Sequence, residues 1–371
     1  MGNHLINPRT KKLKSDNIHW NCDTVDSFDK IYNICISARG TAKTTKLCKK
    51  MWKQYTHWHT HWLILRRRPV DITEGYVRSI GYTINNFLPC HKRITLYFNK
   101  GDLAQGQADV YLDKARTKLF FRIQALSIPS ERAKSNMIPD VSTVWFDECI
   151  PNKPNQYLTE EVQNFRDVYG TYSREFKKYD GRRTTKVWLT GNPYTLFNPF
   201  FSYLKIDLSQ IQPGCLLVGK KYCLEFPIVS EELKKFILKT NPDLDDDDEY
   251  VRYALNGVVL NDIKYKVDKK RPFNYRLKYV FRIGGTYLLC WKDNDAINML
   301  RDKWYIEECK EFDTSRKVYS VDFDNLIQGT CMLTRDIRVI LTGLKEGIGR
   351  RAVTYSNVNA AVLIESLYKA I

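Results

Sequence analysis

The chain has no C-x-x-C pair, although it carries 10 cysteines. Its closest two, Cys215 and Cys223, have no histidine at zinc-finger spacing. The thiols therefore read as reduced side chains of a cytosolic protein, which excludes a zinc ribbon or a disulfide scaffold. Histidine is scarce, at 6 residues. His57, His59 and His61 alternate, interleaved with Trp58 and Trp62 and without a nearby acid; this is the pattern of a turn entering a strand, not of a metal site. No apolar run approaches the ~20 residues that a membrane-spanning helix needs, and the polar, basic N-terminus is unlike a secretory leader. Acidic residues are also short: 42 Asp+Glu against 59 Lys+Arg give a net charge of +17. Such an excess points to a polyanionic partner, nucleic acid or a membrane surface. There are no internal repeats or low-complexity tracts. With 371 residues, 43% of them hydrophobic, the chain has room for two domains and at least one substantial core.

What is present is a phosphate-binding layout. The apolar run Ile31, Tyr32, Ile34, Cys35, Ile36 suits a buried strand. A small-residue turn follows, Ser37, Ala38, Arg39, Gly40, Thr41, Ala42, Lys43, Thr44, and then a helix-like segment with Leu47, Met51 and Trp52. Strand, small-residue loop, Lys-Thr and helix make a P-loop, whose backbone N–H groups face phosphate oxygens. Lys43 is placed to reach the β- and γ-phosphates and the Thr44 hydroxyl to ligate Mg²⁺. The usual pattern is G-x-x-x-x-G-K-[ST]; here Ser37 and Ala42 replace the two glycines. The plainer alternative is an ordinary strand-to-helix turn with a solvated lysine.

A second landmark is Val141 to Glu148, a β-branched run ending in two carboxylates. It reads as a Walker-B strand, with Asp147 in the Mg²⁺ shell and Glu148 acting on the attacking water. A third strand, Lys186 to Gly191, ends in polar groups; Thr190 or Asn192 at its tip is a candidate sensor of the γ-phosphate or the lytic water. Around these lie a polar arm to about Asp29, a buried strand Trp62 to Leu65 ending in Arg66, Arg67 and Arg68, and an amphipathic helical stretch Glu74 to Leu88. Residues 93–98, 109–112 and 118–123 read as an antiparallel meander inserted in the α/β core. Asp243 to Glu249 is an acidic loop. Alternation after Pro272, with strands near 279–283, 287–291, 303–306 and 317–321 and a helical tail Val358 to Ile371, reads as a small β-rich α+β domain. The expected organisation is a P-loop ATPase domain over 1–228, a linker or lid over 229–271 and a C-terminal domain over 272–371.

These residues resemble the DNA-packaging ATPases of φ29-type small tailed bacteriophages. The resemblance rests on Ser37 to Thr44, with Arg39 at the loop's third position. Ser135-Asn136, Phe146-Asp147-Glu148 and Asn198-Pro199-Phe200-Phe201 also carry it, and weaker similarity continues after Pro272. It implies an α/β fold with a RecA-like additional-strand P-loop ATPase domain, a helical linker, and a degenerate RNase H-like nuclease domain at the C-terminus. It implies ATP and Mg²⁺ as cofactors and ATP-driven translocation of double-stranded viral DNA into a preformed capsid. The motor would be a homo-oligomeric ring, pentameric by analogy, docked on the portal of the procapsid in the cytoplasm of the infected host, with a structural RNA as a further candidate partner. By motif, Arg174 corresponds to an arginine finger acting in trans, and Lys134 to a second cation presented to the neighbouring subunit's nucleotide; both make electrostatic sense at a γ-phosphoryl group.

Two other readings stay open. One is a terminase that also cleaves DNA, for which Asp293, Asp295, Asp322 and Asp324 are candidate metal-gathering acids. The other is a basic DNA-binding structural protein with an inactive P-loop. In the motor reading Arg66, Arg67 and Arg68 are the candidates for contacting the DNA backbone.

Overall fold

The structure is a computed structural model of the chain. It describes residues 4–5, 19–38, 40–128, 137–151, 157–158, 160–176, 184–194, 198–207, 210–240, 266–283, 286–293, 303–313, 316–320, 330–332, 342–349, 352–357, 360–361 and 363–364. The chain divides into two units. The first comprises 1–194 and 212–258, the second 195–211 and 259–371.

The first unit is built on a nine-stranded sheet. Its elements run β1 (His4–Leu5), α1 (Cys22–Asp26), β2 (Tyr32–Ile36), α2 (Lys43–Trp58), β3 (His61–Arg66), α3 (Glu74–Asn85), α4 (Lys100–Ala104), β4 (Gln107–Tyr111), β5 (Leu119–Ala125), β6 (Val141–Asp147), α5 (Glu161–Glu175) and β7 (Lys186–Gly191). After the helix α6 (Pro199–Leu204), which groups with the second unit, come β8 (Cys215–Val218), β9 (Tyr222–Phe226) and α7 (Glu231–Thr240). The sheet order is β1-β8-β9-β2-β7-β6-β3-β5-β4. From β9 to β5 every pairing is parallel; β4, β8 and β1 are antiparallel at the edges.

This arrangement explains the near-continuous apolar runs. A parallel strand has both faces covered, so alternation is lost and every position is buried. β2 and β7 are buried at each residue and β6 at all but its last. α2 turns Leu47, Cys48, Met51 and Gln54 inward, spaced along one helical face. The core includes four tryptophans, Trp20, Trp62, Trp145 and Trp188. Gln54 accepts the indole N–H of Trp62 at 2.7 Å, so the buried ring's polar atom is satisfied.

The expected inserted meander is corrected. Only β4 and β5 pair antiparallel, while β5 joins β3 in parallel as a member of the main sheet. Its Phe120 and Phe121 are fully buried, which holds it there. Residues 93–98 contribute a single bridge, Tyr97 to Tyr111. The expected polar arm is also corrected from residue 20 onward: Trp20, Cys22 and Val25 belong to the core. Within 229–271, α7 places Leu233 beside Ala38 and Val229; the acidic run lies outside the described residues.

The second unit has its own seven-stranded sheet and cores. The strands are β10 (Lys266–Val267), β11 (Tyr275–Ile283), β12 (Thr286–Asp293), β13 (Trp304–Cys309), β14 (Val318–Ser320), β15 (Thr330–Met332) and β16 (Val353–Tyr355), with helix α8 (Thr342–Gly349) between the last two. Their order is β10-β16-β13-β12-β11-β14-β15. β11, β12 and β13 form an antiparallel meander, and β14 and β15 add in parallel on the other side of β11. One face packs Phe281, Leu288, Cys290 and Trp304 with Leu344 of α8; the other gathers Val280, Leu289 and Val318. Of the expected helical tail, only 360–361 and 363–364 are described, and they are helical.

All ten cysteines are free thiols. Among the described residues no helix is long and apolar enough to cross a membrane, and no cluster of three or more His, Cys, Asp or Glu is grouped for a metal.

Candidate active site

Four neighbouring strands, in the order β2-β7-β6-β3, end along one edge of the sheet and bring the chemistry together. In an open α/β sheet the crevice outside the carboxyl ends of the strands is where ligands bind.

The loop after β2 is shaped by two left-handed residues, Gly40 at φ 80° and Ala42 at φ 67°. Ala42 is the N-cap of α2 without a side-chain capping bond, so the helix's first N–H groups stay available to an anion. The Ser37 and Thr41 hydroxyls meet at 2.6 Å, and Thr41 Oγ1 donates to the Ala38 carbonyl at 3.0 Å. These bonds close the loop where the usual pattern has its first glycine. Lys43 Nζ lies across the loop, donating to Ser37 O at 2.8 Å, Ser37 Oγ at 3.0 Å, Ala38 O at 3.0 Å and Asn192 Oδ1 at 3.1 Å. Thr44 stands in the first turn of α2. Arg39 lies outside the described residues.

β6 delivers Asp147 at its end and Glu148 just beyond. Asp147 accepts from three donors: Thr190 Oγ1 to Oδ1 at 3.0 Å, and Tyr76 Oη at 2.8 Å and Arg66 Nη1 at 3.1 Å to Oδ2. Thr190 is fully buried and itself accepts the Trp145 indole N–H at 2.9 Å. Of the two sensor candidates, Thr190 thus acts on Asp147 and Asn192 on Lys43. Glu148 adopts φ 57°, its side chain is 56% exposed, and its Oε2 accepts from Arg66 Nη2 at 2.7 Å.

The assignment of Arg66 and Arg67 to a DNA backbone is corrected. Arg66 bridges the two carboxylates of β6, and its guanidinium sits 4.7 Å from the centroid of the Tyr76 ring. Burial opposes its charge, but Tyr76, Asp147 and Glu148 more than offset that and raise its pKa. Arg67 is buried; it pairs with Glu161 at 2.7 Å and donates to the carbonyls of Glu148 and Cys149. It thereby pins the left-handed turn after β6. The parallel strands β3 and β6, ending side by side, put Arg66 beside Asp147 and Glu148. Arg68 is the exposed member of the three.

Arg174 is exposed in the last turn of α5, with Nε donating to the Gly170 carbonyl at 3.0 Å. Lys134, and Asp295, Asp322 and Asp324 of the second unit, lie outside the described residues. Asp293 ends β12, where it accepts from Asn274 Nδ2 at 3.2 Å.

Three further groups escape reading by motif. Tyr76 comes from the start of α3, where the Thr73 cap accepts its backbone N–H at 3.1 Å. Burial, then the charge of Asp147, push its phenol well above the usual range. Trp20 donates its backbone N–H to the Thr41 carbonyl at 3.1 Å and its indole N–H to Glu225 at 2.8 Å. Burial pushes the Glu225 carboxyl up to about 7. Its place at a strand end was the only sequence signal for Arg66; Tyr76, Trp20 and Glu225 carry none.

Thr44 and Asp147 supply oxygen donors alone, the set that Mg²⁺ prefers. The charge of Asp147 also reaches α2: burial raises the Cys48 thiol pKa first, and Asp147 raises it further. Thr44 lies one helical turn before Cys48 on the same side of that helix. In donor chemistry Thr44 and Asp147 therefore fit a magnesium ion.

The strand β7 stands between the P-loop strand β2 and the carboxylate strand β6. With Lys43 in the loop and Asp147 and Glu148 beyond it, that order defines an additional-strand P-loop ATPase domain of RecA-like type. The model of the podovirus DNA encapsidation protein (Gp16) family matches residues 14–346, and the chain belongs to that family. It is similar to the DNA packaging protein of Bacillus phage B103, 25% identical over 321 residues that cover 83% of this chain and 87% of the relative. Among solved structures it is similar to the Phi-28 gp11 DNA packaging motor, with a TM-score of 0.63 at 16% identity over 96% of this chain and 98% of that one. It is also similar to the bacteriophage Phi-29 viral genome packaging motor assembly, with a TM-score of 0.62 at 20% identity over 95% and 100%. The likeness to both structures is one of fold.

Proposed function

We propose that the chain hydrolyses ATP to drive double-stranded DNA into a preformed capsid, working as a homo-oligomeric ring at the capsid portal. The observation that carries this is the line of groups along one sheet edge: Lys43 on Asn192, then Thr190, Asp147 and Glu148. Lys43 exchanges its loop carbonyls for phosphate oxygens. Glu148 takes a proton from the attacking water once Oε2 is no longer spent on Arg66. Thr44 and Asp147 hold Mg²⁺, which when bound offsets charge on the phosphoryl oxygens. The exposed guanidinium of Arg174 suits a finger offered to a neighbouring subunit. A pentameric ring and a structural-RNA partner belong to the same reading by analogy.

In the second unit the strand order β13-β12-β11-β14-β15, an antiparallel meander extended by two parallel strands, supports an RNase H-like domain. Its central strand β11 carries no carboxylate and instead bears Arg276, Lys278 and Arg282. A two-metal nuclease gathers several carboxylates, so this favours an inactive domain that contacts nucleic acid. Lys269, Lys270, Arg271, Arg276 and Lys278 are all exposed, and Phe273 among them is 99% exposed. Phosphates would take the cations and a sugar or base would cover the ring.

The test is steady-state ATP hydrolysis with and without double-stranded DNA, for the wild type and Glu148→Gln. Turnover stimulated by DNA and lost in the variant is expected. A wild type that binds DNA but hydrolyses nothing would favour the structural-protein reading.

A further inference from the structure

Asp147 is held at both oxygens, but its three donors are not equivalent. Thr190 fixes Oδ1 from within the sheet and is anchored by Trp145. Oδ2 takes two donors, Arg66 at 3.1 Å and Tyr76 at 2.8 Å. Arg66 is divided, because its other terminal nitrogen is on Glu148. A change at Glu148 therefore reaches Arg66. The Tyr76 hydroxyl has Asp147 as its partner and is not shared with Glu148. Its backbone is fixed independently, at the capped first turn of α3. Its ring also provides the surface on which the Arg66 guanidinium lies.

We infer that Tyr76 is a positioning residue for the Walker-B aspartate: its hydroxyl orients Asp147 toward the metal while its ring docks Arg66. A carboxylate with one fixed oxygen can still rotate about its Cβ–Cγ bond; on the other oxygen the undivided, shorter bond from Tyr76 restrains that rotation more than Arg66, which is shared with Glu148. Groups that orient a metal-binding carboxylate in this way set metal affinity, typically by roughly 10- to 100-fold. The inference rests on the reading of this unit as an Mg²⁺-dependent ATPase and assigns the group that holds its aspartate.

The full-length wild type and Tyr76→Phe are compared in two measurements. The first is Mn²⁺ binding to the protein with ADP, read from the electron paramagnetic resonance signal of free Mn²⁺, alongside ADP binding without metal. The second is the Mg²⁺ dependence of hydrolysis at saturating ATP. Phenylalanine keeps the ring under Arg66, and Arg66 still serves Oδ2, so the fold is retained. The variant is expected to bind Mn²⁺ about 10-fold more weakly or worse and to need correspondingly more Mg²⁺. Its metal-free ADP affinity should stay within about threefold of the wild type. Mn²⁺ affinity within twofold of wild type would overturn the inference. So would an equal loss of metal-free ADP binding, which would mark a general loosening of the site. A wild type that binds Mn²⁺ neither with nor without ADP would overturn the ATPase reading itself, and the inference with it.

Discussion

Glu225 is a carboxyl group buried at the edge of the P-loop with an indole N–H for a partner. Burial raises its pKa from an ordinary 4.5 to about 7, and the Trp20 bond lowers it only in part. Because the folded value lies above the unfolded one, its contribution to stability is fully present below pH 4.5 and is lost as the pH rises through about 7. The shift corresponds to about 3 kcal/mol. In urea unfolding from pH 4.5 to 8, the wild type should lose stability relative to Glu225→Gln by that order, with the difference opening below pH 7. Parallel curves would mean that the carboxyl is not buried as a lone acid. Arg66 and Arg67 carry the same lesson about environment. Three consecutive arginines look like one basic patch in sequence, yet two are turned onto carboxylates and only Arg68 is exposed.

At the scale of elements, the turn from β2 into α2 departs from the usual pattern at a position with a physical demand. Ala42 sits at φ 67°, in the left-handed region. A residue with a Cβ is strained there by roughly 1–2 kcal/mol, whereas glycine is not. Ala42→Gly should therefore raise the stability of the first unit by up to about 1 kcal/mol, less the entropy that glycine adds to the unfolded chain. Thermal denaturation checks this, and a fall in Tm would show that the Ala42 methyl is needed for packing. Elements were legible in proportion to how local their signals are. β2, β6 and β7 were read close to their observed bounds because a buried parallel strand is a short apolar run. β5 was misassigned because an equally apolar run does not say which neighbour it pairs with.

At the scale of the molecule, charge is the property that matters most. The net +17 must be distributed, and the exposed cations of 269–278 are one place where it is concentrated. If these contact a nucleic-acid backbone, replacing Lys269, Lys270 and Lys278 with alanine should reduce the slope of log affinity for double-stranded DNA against log salt by about 3. Basal ATP hydrolysis should be unchanged, since these residues belong to the second unit. An unaltered slope would move the contact elsewhere on the chain.

The sequence by itself determined the P-loop, the paired carboxylates and the third strand with its polar tip. Each is a run of adjacent residues whose chemistry and backbone demands are met locally. The excess of basic charge was likewise a matter of composition. Only the tertiary structure decided what those residues face. Strand order set β7 between β2 and β6, so that Asn192 meets Lys43 and Thr190 meets Asp147. It placed β3 beside β6, turning Arg66 onto Asp147 and Glu148. It also folded residue 20 under the loop that begins at residue 37 and laid Tyr76 against Asp147, 71 residues further along. Hydrogen bonds and ion pairs depend on a few ångströms of separation in space, and separation along the chain does not encode that distance.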